Sequence, residues 1–427
     1  MHIIEGAPAG SDFATFLSWL VDSLQATVAG DEKFRRFATR VLGSGASESA
    51  RQTLRSELQQ ETNALAARRA RNHHPQPYGY ARVDAFGHIM NELLAKDLNI
   101  PANRRDPDAP VSYPFLWDTP HHERVQWNGV APNTNIASLG PLFRNIGEVI
   151  GVFGRIDITP RQGFPPVYSS SIHKANLRTL EDVLWSLWSP QWPSGCHPID
   201  ENKVQAGKQA FAKAKCAECH ADIVRDARDR KANERLIAVR AVGTDPTMAD
   251  NFISRQAQTG KLQGTPKRFP LFIRGNFGDT GSAADILGNA ALGIYFGQGL
   301  RQPGPLSLDP GPIRDQIETL LDIATNKNAV YKARPLNGIW ATAPYLHNGS
   351  VPNLRQLLNK PEQRMSQFHV GSRKFDPVNV GLSTEKDSQR GFFFDTSKKG
   401  NRNTGHPYGT ELSDSEKDAL VEYLKTL

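Results

Sequence analysis

The chain has 427 residues, with 35 Gly, 29 Pro and three Cys; 38% are hydrophobic and 22% charged. That mixture excludes a collagen-like or wholly disordered chain, and three cysteines are too few for a disulfide-stapled scaffold or a four-cysteine zinc site. The net charge of +7 is spread among acids, as in Arg225, Arg228, Arg230, Lys231 and Arg235 beside Asp222, Asp226, Asp229 and Glu234, so no nucleic-acid stripe is expected.

At this length roughly two to four domains are expected. No window is apolar for long enough to span a membrane, and Met1 to Gly6 show no leader pattern. Phe13, Phe16, Leu17, Leu20, Val21, Leu24 and Val28 predict a helix over 12–28, with Ser11 as N-cap. A polar helix follows at 47–70. The Pro- and aromatic-rich stretch 100–140 reads as ordered loop, because its aromatic rings need something to pack on. Helical periodicity returns at 142–153 and 177–188. Three prolines and a glycine in 189–200 mark a boundary, giving units of 1–195 and 196–427. A short helix at 201–215 leads into Cys216. Most of 241–410 reads as loop with short helices, including 313–324 and 353–359. Ser413 and Glu416 form a capping box for a terminal helix whose apolar stripe is Leu420, Val421, Leu424 and Leu427. The fold class is mainly α and loop-rich, with a helical and irregular first unit.

Cys216-Ala217-Glu218-Cys219-His220 is the C-x-x-C-H pattern of covalent haem c attachment, so the second unit is expected to be a C-terminal cytochrome c-type haem domain. A helical turn sets both thiols on one side, where each can add to a porphyrin vinyl group. The adjacent imidazole then reaches the iron. A zinc site needs further nearby thiolates or imidazoles, and none follow; a redox C-x-x-C needs a strand–loop–helix setting. His220 is therefore the expected proximal ligand and one haem c the expected cofactor. His347, His369, His406, Met248 and Met365 are the candidates for the distal side. Met365 and His369 lie in a polar stretch without special loop chemistry. Met248 lies in a turn behind the motif, His347 in a turn between aromatics, and His406 just before the terminal helix.

Residues 332–358, containing Pro344-Tyr345-Leu346-His347-Asn348-Gly349-Ser350, resemble the C-terminal haem domain of the bacterial di-haem cytochrome c peroxidase superfamily, in its rubber-oxygenase-like branch. Arg82 to Gly87, Asp108 to Asn128, Arg144 to Val149 and Gly400 to Leu427 resemble the same branch. The resemblance implies a six-coordinate electron-transfer haem held by the motif and a distal His. Through Asn403-Thr404-Gly405-His406 it makes His406 the favoured ligand. It implies a pocket or propionate contact for His347, the second choice as ligand, and a propionate partner in Arg334. It allows a calcium ion between the halves, with no ligands assigned.

One departure from the family is clear. Its members carry two C-x-x-C-H motifs, and this sequence has one; Cys196-His197 lacks the upstream cysteine. The expectation is that the chain begins just after the first motif, its leader lost with it, so that 1–195 is the remnant of the first haem unit. Residues 108–135, with Trp117, His121, His122 and Trp127, would wall that haem's pocket. His121 and His122, being adjacent in the chain, are not expected to share a site. The leading functional expectation is single-electron transfer with a redox partner protein or small electron donor, in a periplasmic or secreted protein. The alternatives are part of a di-haem oxygenase or peroxidase, and a haem-based sensor.

Overall fold

A computed structural model describes residues 4–133, 139–159, 167–220, 223, 230–232, 234–267, 275–297, 328–387, 389 and 391–427. The predicted helix at 313–324 lies outside them. The chain is mainly helical, and every ladder among the described residues is a two-stranded antiparallel pair. The first helix runs Phe13–Ala29, and its cap is Asp12 rather than Ser11, because the Asp12 carboxylate accepts the Thr15 amide. The polar helix is Glu48–Arg71, capped by Ser47. Further predicted helices appear as Leu139–Val152, Lys174–Leu184, Glu201–Lys213 and Leu354–Leu357. The terminal helix is Asp414–Leu424, with the capping box formed in both directions.

Three substantial helices lie outside those predicted. Asp31–Leu42 fills the gap between the first two predicted helices. Ala85–Met90 continues as a π-helical turn over Asn91–Asp97. Ala283–Phe296 lies inside the stretch read as mostly loop. The π turn has a visible purpose. It carries Glu92, fully buried, which accepts from Arg71 at 3.1 and 2.8 Å and from Asn72 at 2.7 Å. A buried carboxylate needs such partners; this one pins the long polar helix to the core.

Two large apolar clusters organise the rest. The first joins Leu93, Leu142, Ile146 and Ile150 to Phe252, Ile286 and Tyr331, and so draws on both sides of residue 195. The second joins Trp192, Phe211, Trp340, Leu354, Leu420 and Leu424. In it the Glu201–Lys213 helix crosses the terminal helix at Gly207. A Cβ there would lie 2.0 Å from the Ala419 carbonyl oxygen, so only a glycine permits this approach. Gly207→Val should therefore cost on the order of 1–3 kcal/mol, read as a lower midpoint in urea unfolding.

His88, on Ala85–Met90, is 5% exposed among Phe13 and Tyr78, and its Nε2 has no hydrogen-bond partner. Burial, with the Arg68 charge adding to it, pushes its pKa down from 6.5 to about 4. Between those values the unfolded chain binds a proton that the folded chain refuses, so the stability linked to His88 is lost as pH falls through that window. His88→Gln should make thermal stability fall less steeply between pH 6.5 and pH 4 than in the parent, as read by unfolding at a series of pH values.

Candidate cofactor site

The Glu201–Lys213 helix starts at Asp200, whose carboxylate accepts the amides of Asn202 and Lys203. It stops at Lys215, which takes a left-handed φ of 59°. Cys216–Glu218 then forms a single 3-10 turn, and the His220 amide donates to the Cys216 carbonyl at 3.0 Å. This compact turn brings both thiols and the imidazole to the same cavity wall. Burial raises the Cys216 thiol to about 11, so it stays protonated at neutral pH.

The His220 Nδ1 lies 2.6 Å from the Arg334 carbonyl oxygen. A carbonyl only accepts, so Nδ1 carries the proton and Nε2 keeps its lone pair, as a metal-ligating imidazole requires. Facing it is His406, with ring centroids 6.3 Å apart. One ion fits between two such rings, with bonds of about 2 Å to each ring nitrogen and about 1 Å more to each ring centre. Both rings are partly accessible, as the lining of a cavity is, yet packed closely enough for burial to lower both pKa values, that of His406 to about 3. Both therefore stay neutral, the form that binds a metal.

The turn that presents His406 is tightly held. Gly405 and His406 both have positive φ, 76° and 48°. The His406 amide donates to the Val242 carbonyl at 2.8 Å, and Thr404 Oγ1 to the Gly243 carbonyl at 3.1 Å. A Cβ on Gly405 would stand 2.3 Å from the Gly243 carbonyl carbon. The Tyr345-to-Ser350 turn supports the approach to this loop: Asn348 Nδ2 donates to the carbonyls of Gly400 and Arg402, and Ser350 Oγ to that of Arg402. Arg82, buried from the other half of the chain, donates to Asn401 Oδ1 at 2.7 Å.

The cavity holds about 1480 Å³ of empty space, its open mouth included, and its wall is largely aliphatic and aromatic. Residues from before position 195 contribute Ser112, Tyr113, Phe115 and Trp127. Besides the exposed Lys215, two cationic side chains stand in that wall. The Arg334 guanidinium lies 3.7 Å over the Phe115 ring, and its Nε is buried without a partner. Burial lowers its pKa to about 10, so it remains charged. Lys332 donates to the Arg124 carbonyl at 2.6 Å and lies 3.7 Å from Glu234; burial lowers it to about 7. Two thiols beside one imidazole, a second imidazole opposite, an apolar wall and two cations match haem c, an apolar macrocycle bearing two carboxylates.

His347 lines the same cavity, but it stacks on Tyr331 at 4.1 Å, with Trp127 at its edge; the ring that meets His220 is His406. Met248 is 3% exposed in the first apolar cluster, so its thioether fills core space. The Met365 amide and carbonyl bond Gln356 and Asn403, and His369 lies on the strand Gln367–Val370 against Phe393. His121 packs edge-on to Trp185 while His122 pairs with Glu234, so the two diverge as adjacency implies. Cys196 is exposed. Among the described residues, no group of three or more His, Cys, Asp and Glu is arranged to hold an ion. The supports Arg82, Asn348 and Ser350 were not singled out from the sequence; only the phrases containing them drew notice. Among the described residues, no helix is long and apolar enough to cross a membrane.

Residues 330–369 match a family described as RoxA-like, cytochrome c-like. This segment contains Lys332, Arg334 and His347, which line the same cavity as the motif. The chain is 30% identical over 466 residues to the uncharacterized protein y4iJ of Sinorhizobium fredii (strain NBRC 101917 / NGR234), covering all of this chain and 73% of that protein. It is 26% identical over 380 residues to the uncharacterized protein y4iM of the same strain, covering 82% and 72%. The chain belongs to the family of y4iJ, and its C-terminal half contains a RoxA-like, cytochrome c-like segment.

Proposed function

We propose that this protein is a c-type cytochrome that binds one haem covalently through Cys216 and Cys219 and passes single electrons through it. The observation that carries the reading is the facing of His220 and His406 across the cavity that the thiols also line. In it, His220 and His406 would hold the iron and Arg334 would pair with a propionate. His347 is a pocket residue, and residues 196–427 form the haem unit, with 1–195 completing its wall. A haem in this cavity supplies a one-electron couple. The surrounding residues hold two neutral nitrogens in fixed directions, keep a proton on His220 Nδ1, and exclude water with an apolar wall. Little then rearranges on electron transfer. Because haem c is attached outside the bacterial cytoplasm, the proposal places the protein in the periplasm or outside the cell, with a redox partner protein or small electron donor.

The resemblance at Asp108 to Asn128 and the RoxA-like match support a second reading, part of a di-haem oxygenase or peroxidase. That chemistry needs an open iron position, so carbon monoxide separates the two. The first reading expects one haem per chain by pyridine haemochrome and a ferrous spectrum unmoved by CO. A CO-shifted spectrum in the parent protein favours the second. His406→Ala should convert the haem to high spin and admit CO; if His347→Ala does this and His406→Ala does not, the ligand assignment is wrong. Arg334→Gln removes a cation from the wall and should lower the midpoint potential, on the order of 50 mV, by spectroelectrochemical titration.

A further inference from the structure

Arg364 does not line the cavity and lies outside every motif considered above, yet all five of its N–H groups are used. Nε donates to the Asn359 carbonyl at 3.0 Å. One terminal nitrogen donates to the carbonyls of Asn403 at 2.7 Å and Gly405 at 2.8 Å. The other donates to those of Leu357 at 3.1 Å and His406 at 3.0 Å. The side chain is 5% exposed. Three of its five acceptors belong to the four-residue turn that ends in His406.

We propose that Arg364 is a positioning residue for His406, its guanidinium fixing the 403–406 turn so that the His406 ring stands opposite His220. This rests on the reading of His406 as the second axial ligand.

Consecutive positive φ values at Gly405 and His406 are costly, since a histidine enters the left-handed region only when its surroundings enforce it. Such a turn aims several carbonyls the same way, and buried carbonyls need donors. The planar guanidinium supplies charge-assisted bonds to three of them at once and ties them to the Leu354–Leu357 helix end and Asn359 behind. The Val242–Asp245 turn holds the loop from the other side, through the His406 amide, Thr404 Oγ1 and the Arg402 amide, which donates to Asp245 Oδ2 at 3.2 Å. The loop is thus gripped from two sides, and among the described residues Arg364 is the side chain that reaches the carbonyls of Asn403, Gly405 and His406. A lysine would keep the charge but offers three donors from one point, too few and too close together to span these acceptors.

The test compares the full-length haem-loaded protein with Arg364→Ala and Arg364→Lys, using His406→Ala as the reference for a lost ligand. Haem content by pyridine haemochrome should be unchanged, because the attachment turn is untouched. The CO-bound fraction of the ferrous haem should rise about tenfold or more in Arg364→Ala, the consequence of losing several charge-assisted bonds. It should rise less in Arg364→Lys. Added imidazole should restore the low-spin spectrum in both. A clamp that serves only stability would lower the melting temperature while leaving the folded variants low-spin and inert to CO; that result overturns the proposal. If Arg364→Ala does not accumulate, Arg364→Lys is read alone by the same criteria. If the parent itself binds CO, or His406→Ala leaves the spectrum unmoved, the ligand reading fails. Hydrogen exchange then decides on the clamp: faster exchange of the 403–406 amides in Arg364→Lys supports it, and unchanged exchange overturns it.

Discussion

Two neutral imidazoles face each other across one apolar cavity, and no local segment of the chain could hold them there. His220 comes from a turn at the end of a helix, and its orientation is set by a carbonyl from the distant segment at Arg334. His406 comes from a strained turn whose backbone bonds reach back to Val242 and Gly243. Around this pair the two clusters divide the work. The helix crossing at Gly207 orients the attachment turn, and the first cluster supplies the Tyr331 on which His347 stacks. Among the described residues, seven short ladders tie loops to one another and form no extended sheet.

The wall of the cavity shows why composition in a loop can matter as much as periodicity in a helix. Phe115 and Trp127, from the aromatic-rich loop before residue 135, pack around the Arg334 guanidinium. A cation resting on ring faces keeps its charge in a site too dry to solvate it fully. Lys332 and Glu234 make a second such compromise, buried together with His122 beside them. The cavity is thus apolar in surface but not in field: positive charge sits in its wall, suited to an apolar ring with acidic substituents.

Local signals in the sequence were read well and long-range ones poorly. The periodic helices near residues 12–28 and 47–70, and the terminal capping box, appear within a few residues of where they were expected, because caps and apolar stripes are written over four to eight neighbouring residues. Ala283–Phe296 escaped because most of its residues are buried, so no polar face marks its period. Asp31–Leu42 follows the first helix after Gly30 alone, without a side-chain cap to announce a new start. The attachment motif is contiguous and so legible. His406 stands among five candidates by residue type and is favoured only through family likeness, because what makes it special is tertiary: the bonds from Arg364, Asn348 and the 242–245 turn span long separations that no short pattern records.

The separation between the two histidines also imposes an order on how the molecule comes into being. A chain synthesised from its N-terminus presents the thiols and His220 well before Gly405 and His406 exist, and contacts between distant positions form late in folding. The attachment turn is held together by its own short bonds, so it can take shape first. The facing ring must wait until the 403–406 turn meets Val242, Gly243 and Arg364. Under the proposed function, covalent attachment and binding of the second imidazole would thus be separate events in time, and a chain caught between them would hold the haem open on one side.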